Sequence, residues 1–155
     1  MEYKFTVSAV IEQRMRYLAL QMVKDKKWGL PAGKIEHRES DKEALKREMS
    51  EEIGSEIAIL CPVGIYRFIS DGGNDIINIV YAVRTKREPR IVRPREIKNL
   101  AWLTFKEWNE YAKNQQLRAP KAQMQALRDY QNLNNSADCI SCRNQDIFNI
   151  VKTLF

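Results

Sequence analysis

The chain has 155 residues, 44% hydrophobic and 30% charged, which suits one globular domain and excludes a disordered or fibrous chain. Lys and Arg number 26 against 20 Asp and Glu, and the net charge of +6 favours anionic partners such as nucleotides or RNA. No segment approaches a membrane helix, which needs about 18 consecutive apolar residues, and the start is no secretory leader, so a cytoplasmic protein with no membrane partner is expected.

Phe5 to Val23 is strand-like: Phe5, Val7 and Ala9 alternate, then Leu18 to Val23 form a more buried run, and two strands fit there. Asp25-Lys26-Lys27 breaks the pattern. Trp28-Gly29-Leu30-Pro31-Ala32-Gly33 reads as an irregular segment whose glycines permit turns and close approach to a ligand.

A helix is expected from about Asp41 to Ile53. Ser40 and Glu43 have capping-box spacing, Gly54 supplies the C-terminal stop, and Leu45, Met49 and Ile53 recur every four residues as a core-facing stripe. Val63 to Ser70 and Ile76 to Arg84 read as strands of a hairpin around Asp71-Gly72-Gly73-Asn74. Tyr66, Phe68 and Tyr81 on these strands suit the core better than a stacking platform.

The basic run Arg84 to Arg90, continued by Arg93 and Arg95, is either a solvated loop or a phosphate-facing strip. Leu100 to Leu103 is a short strand, and a helix capped by Thr104 with Glu107 follows. Further helices are expected from Pro120 to about Leu133 and over Ile147 to Leu154. Cys139-Ile-Ser-Cys142 lacks two of the four ligands of a structural zinc, because Cys61 and His37, the one histidine, stand far off without ligand spacing. Interleaved strands and helices give an α/β sandwich.

Chemistry concentrates on the first helix. Glu48 and Glu52 are four residues apart and Glu51 is three from Glu48, so the three carboxylates share one side. Like charges at that spacing destabilise a helix, and a hard divalent cation would neutralise them; a solvated acidic face with Arg47 pairing to Glu51 is the plainer alternative.

Gly33, Glu39 and Arg47-Glu48-Met49-Ser50-Glu51-Glu52-Ile53-Gly54 decide between these readings, because their spacing resembles the Nudix hydrolase signature at every position but the last. That position, apolar in the family, is Ser55, a departure that bears on local packing. The segment Trp28 to Glu36 is similar to the family's usual entry into the motif.

The resemblance implies an α/β/α sandwich with a mixed sheet and extra C-terminal helices, in one domain whose helical extension covers about 117–155. It implies Mg²⁺, with Mn²⁺ as an alternative, held by Glu48, Glu51, Glu52 and a backbone carbonyl near Ala32 or Gly33. Arg47 would orient the carboxylates with support from Glu39. The general base would be Glu51, Glu52 or, preferably, Glu96, six residues ahead of Trp102. Trp28, Gly33, Lys34 and Glu36 are the candidate substrate-binding positions.

The expected activity is hydrolysis of a diphosphate linkage in a nucleoside di- or triphosphate or related nucleotide, by a monomer or homodimer. Leu117-Arg118-Ala119-Pro120 and Arg128-Asp129-Tyr130-Gln131 are similar to small bacterial Nudix phosphatases. The alternatives are an RNA 5′-pyrophosphohydrolase, an ADP-ribose or nucleotide-sugar hydrolase and, in another class, a non-catalytic nucleotide sensor.

Overall fold

The computed structural model describes residues 2–135. Cys139, Cys142 and the helix expected over Ile147 to Leu154 lie outside them.

Alternation divides β1 (Tyr3–Val10) between two cores: Val7 and Ala9 pack on one face, Val10 on the other. In its sheet the order is β5 (Ala32–Lys34), β1, β7 (Asp75–Thr85), β6 (Ile57–Ile69). β1 runs parallel to β7 and the other pairs are antiparallel, so the expected mixed sheet is present. A second, antiparallel sheet centres on β3 (Arg16–Met22), which pairs with β8 (Ile97–Thr104) and also with β2 (Glu12–Gln13) and β4 (Trp28–Gly29).

The helix α1 (Asp41–Ile53) packs Ala44, Leu45, Met49 and Ile53 against Val7, Ala9, Leu18, Leu20 and Ile97. On the other side α2 (Phe105–Lys113) and α3 (Pro120–Asn135) bury Trp108, Met124 and Leu127 with Val10, Ala19 and Val80. The result is an α/β/α sandwich.

Three local readings change. Arg14 and Met15 turn β2 into β3 with φ of 51° and 61°, a tight turn without the Gly or Asn that usually announces one, so Phe5 to Val23 holds three strands. Trp28 to Gly33, expected to be irregular, contributes β4 and β5 because β3 and β1 offer open edges. β6 begins at Ile57, ahead of the expected Val63, and register shifts at Ile59/Cys61 and Pro62/Gly64 let the strand carry a proline.

Both ends of α1 are fixed as the spacing predicts. Ser40 and Glu43 form the capping box, and Gly54 takes the left-handed φ of 64° that favours glycine. The loop after β7 secures the end: the N–H groups of Arg90 and Val92 donate to the carbonyls of Ile53 and Glu52 at 3.0 and 3.3 Å. Buried Ser55 stands where an apolar residue is usual, and its hydroxyl donates to the Glu56 carbonyl and accepts from the N–H groups of Lys86 and Arg87. Its polarity is satisfied by tying β6 to that loop.

Met49 is fully buried among α1, β1 and β3. Met49→Ala is expected to lower stability by roughly 2–5 kcal/mol in urea unfolding, the cost of a core cavity. A loss under about 1 kcal/mol would contradict the buried stripe.

Candidate active site

The middle of β5 and the carboxylate face of α1 meet at Gly33. A Cβ there would lie 1.9 Å from the Glu48 carboxyl carbon, so only glycine lets this carboxylate approach the strand. One helical turn on, Glu52 Oε2 accepts a hydrogen bond from the Ala32 N–H at 3.2 Å. Glu48 and Glu52 are 8% and 7% exposed, along the edge of the helix's core-facing stripe. Burial raises the pKa of both carboxyls, that of Glu52 to about 8 with help from the neighbouring Glu48 charge.

Arg47 organises the remaining carboxylates. Its Nε and Nη2 donate to the two oxygens of Glu39 at 2.7 and 3.0 Å, and its Nη1 to Glu48 at 2.7 Å and Glu51 at 3.3 Å. Nη2 also reaches the Lys34 carbonyl, so the helix is stitched to β5. These hydrogen bonds hold the Glu39 carboxyl down to about 2 and push Arg47 up. Glu39 is therefore part of the ion-pair network and does more than favour the helix start. The pairing of Arg47 with Glu51, the plainer alternative, is also present, but it is the longest of these contacts.

Arg93 from the basic loop closes the other side, 2.6 Å from Glu51 Oε2 and 3.6 Å from Glu96 Oε2. Glu96 thus joins the cluster through Arg93, with its side chain 58% exposed. Trp28 is partly buried against Tyr111, with ring centroids 5.9 Å apart. Glu36 is exposed and 3.8 Å from Arg47, while Lys34 meets Arg47 by its carbonyl. In this conformation no three carboxylate, histidine or cysteine side chains of the described residues converge as a ready metal cage, because Arg47 and Arg93 draw Glu51 toward themselves.

The sequence offered Arg93 only as one member of a basic run. Its pairing with Glu51 follows from the hydrogen bonds between that loop and the C-terminal carbonyls of α1, which no local pattern announces.

The NUDIX domain family matches residues 2–124. The chain belongs to the Nudix family. Among solved structures, a NUDIX hydrolase from Nitrosomonas europaea is 28% identical, with 84% of this chain and 90% of that one covered and a TM-score of 0.73. A MutT NUDIX hydrolase from Burkholderia pseudomallei is 26% identical over 69% of this chain and 87% of its own, with a TM-score of 0.63. A MutT protein from Methanosarcina mazei Go1 shares the fold at 23% identity, covering 84% and 95% with a TM-score of 0.70. No curated protein matches the chain.

Nudix enzymes act on phosphoric anhydrides, generally with divalent metal ions, and membership brings this chain into that class. In the Nudix box of this chain Gly33 and Glu48 occupy one space. Gly33→Ala should displace the Glu48 carboxylate and lower turnover at least about a hundredfold, the scale on which misplacing a catalytic group acts. Kinetics and circular dichroism check this, and an unchanged rate in a folded variant would contradict the contact.

Proposed function

We propose that this chain hydrolyses a nucleoside di- or triphosphate or a related nucleotide, using Mg²⁺, or Mn²⁺ in its place, held by Glu48, Glu51, Glu52 and a backbone carbonyl at Ala32 or Gly33. The observation that carries this reading is the Glu52 carboxylate: buried, with one hydrogen bond, from Ala32, and no ion pair among the described residues. A buried carboxylate without an ion-pair contact is costly, and a hard cation with oxygen ligands is the partner it fits. Glu48 beside it, cradled on Gly33, supplies a second oxygen donor.

When bound, the metal neutralises phosphate charge and acidifies the attacking water. The protein contributes position. Arg47 holds Glu48 and Glu51, and Glu51 would exchange its Arg93 partner for the metal. Glu96 is the proposed general base or additional ligand; its exposure and its link to Glu51 through Arg93 suit a carboxylate that takes a proton from water at the cluster's rim. Trp28, Gly33, Lys34 and Glu36 would border the substrate. The reading includes a cytoplasmic protein acting as monomer or homodimer, one domain with residues 117–155 as its helical extension.

RNA 5′ ends are a second substrate class, favoured by the net charge of +6 and by Arg84, Arg87, Arg90 and Arg95, which are exposed. Such binding would weaken steeply with salt. ADP-ribose and nucleotide sugars belong in the same panel. The complete set Glu48, Glu51 and Glu52 opposes a sensor that binds without cutting.

The test is metal-dependent release of phosphate and pyrophosphate across nucleotides, dinucleoside polyphosphates, nucleotide sugars and triphosphorylated RNA. Glu52→Gln is expected to lower turnover by orders of magnitude in a folded protein, whereas tight binding without turnover across the panel would favour the sensor. Glu96→Gln is expected to reduce kcat with little change in Mn²⁺ affinity; a shift in melting temperature alone would make it a structural residue.

A further inference from the structure

Arg118 is an unresolved charge next to this site. Its Nε is shielded from solvent without a hydrogen-bond partner, and its guanidinium makes no hydrogen bond or ion pair among the described residues. Burial lowers its pKa, against the longer-range pull of Glu52 and Asp25. A guanidinium stays protonated all the same, so a full charge sits partly buried with its Nε–H lacking a hydrogen-bond partner among the described residues.

The fold holds it there. The Trp28 N–H donates to the Gln116 carbonyl at 2.7 Å and the Arg118 N–H to the Trp28 carbonyl at 2.9 Å, aligning Leu117 beside Trp28 as a parallel bridge. Gln123, on the first turn of α3, donates to the Arg118 carbonyl and accepts from the Leu30 N–H. The side chain lies across Gly29, where a Cβ would be 2.7 Å from Nη2 and 3.0 Å from Nε. The same short segment then continues to Ala32, whose N–H holds Glu52. Glycine at 29 and the clamped backbone at 118 thus keep the guanidinium beside the segment whose Ala32 N–H holds the Glu52 carboxylate of α1.

We propose that Arg118 is a substrate-binding residue, its guanidinium fork receiving non-bridging oxygens of the substrate's diphosphate at the Glu52 side of the cluster. The inference rests on the function proposed above. Planar, bidentate donation matches phosphoryl oxygens, and an arriving anion resolves the desolvated charge that the free protein carries. The site selects for a diphosphate, whose oxygens reach metal and arginine together.

The experiment titrates full-length protein with methylenediphosphonate in Mg²⁺ by calorimetry, and with Mn²⁺ alone by electron paramagnetic resonance. Arg118→Met is expected to weaken diphosphonate binding about thirtyfold, the scale of charge-assisted hydrogen bonds, and Arg118→Lys by less. Mn²⁺ alone should bind Arg118→Met as well as or better than wild type, since a cation near Glu52 is removed. Gly29→Ala leaves Arg118 in the sequence but displaces its guanidinium, and should weaken diphosphonate binding too. Without ligand, Arg118→Met should melt no lower than wild type, because it removes an unpaired charge.

Unchanged diphosphonate affinity in Arg118→Met and Gly29→Ala, with Mn²⁺ bound normally, overturns this inference and leaves the proposed hydrolase intact. A lower melting temperature with unchanged affinity makes Arg118 structural and overturns it equally. Wild-type protein that binds neither Mn²⁺ nor diphosphonate overturns the proposed function and this inference together.

Discussion

Arg47 is the point at which helix, strand and carboxylates are joined. One guanidinium binds both oxygens of Glu39, reaches Glu48 and Glu51 on its own helix, and donates to the Lys34 carbonyl of β5. Three negative side chains are thereby gathered without a matching number of cations, and the strand that carries Gly33 and Ala32 is locked against the helix. The planar fork of arginine is what permits this: it grips both Glu39 oxygens bidentately while also reaching Glu48, Glu51 and the Lys34 carbonyl, more acceptors than the three donors of a lysine ammonium could serve.

Around that joint the helix α1 serves two environments. Leu45, Met49 and Ile53 are fully buried in apolar packing, while Glu48 and Glu52, offset by one residue from Met49 and Ile53, are almost as inaccessible. Hydrophobic burial supplies the free energy that carries the glutamates into a poorly solvated place, where their ionisation is penalised. Gly33 removes the steric barrier on one side and the loop from Arg90 to Arg93 closes the other. The proposed cation affinity and the penalty on carboxylate ionisation have the same origin in this arrangement.

Legibility differed along the chain for physical reasons. The capping box of Ser40 and Glu43, the stop at Gly54 and the Asp71 to Asn74 turn are local devices, and they appear where spacing put them. The Arg14–Met15 turn carries no small or amide residue and was invisible; partnering with β3 sets its backbone. The strand read as Val63 to Ser70 begins at Ile57, and the register shifts around Pro62 that let it do so depend on pairing with β7. For Glu39, sequence left helix-start electrostatics and an ion pair equally open, and the distance to Arg47 decides for the pair.

By itself the sequence determined the helix, its phase and the identity of its carboxylates, because cap, period and charge pattern act over a few residues of one chain segment. It also determined family membership, since the spacing of Gly33, Glu39 and Arg47 to Gly54 is a linear property. Tertiary structure alone decided that Arg93 meets Glu51, that Glu96 stands behind it, and that Arg118 lies across Gly29 with no ion pair among the described residues. Those contacts join segments distant in sequence, and their geometry is set by sheet register and by where the loops after β7 and α2 are pinned, which no local pattern encodes.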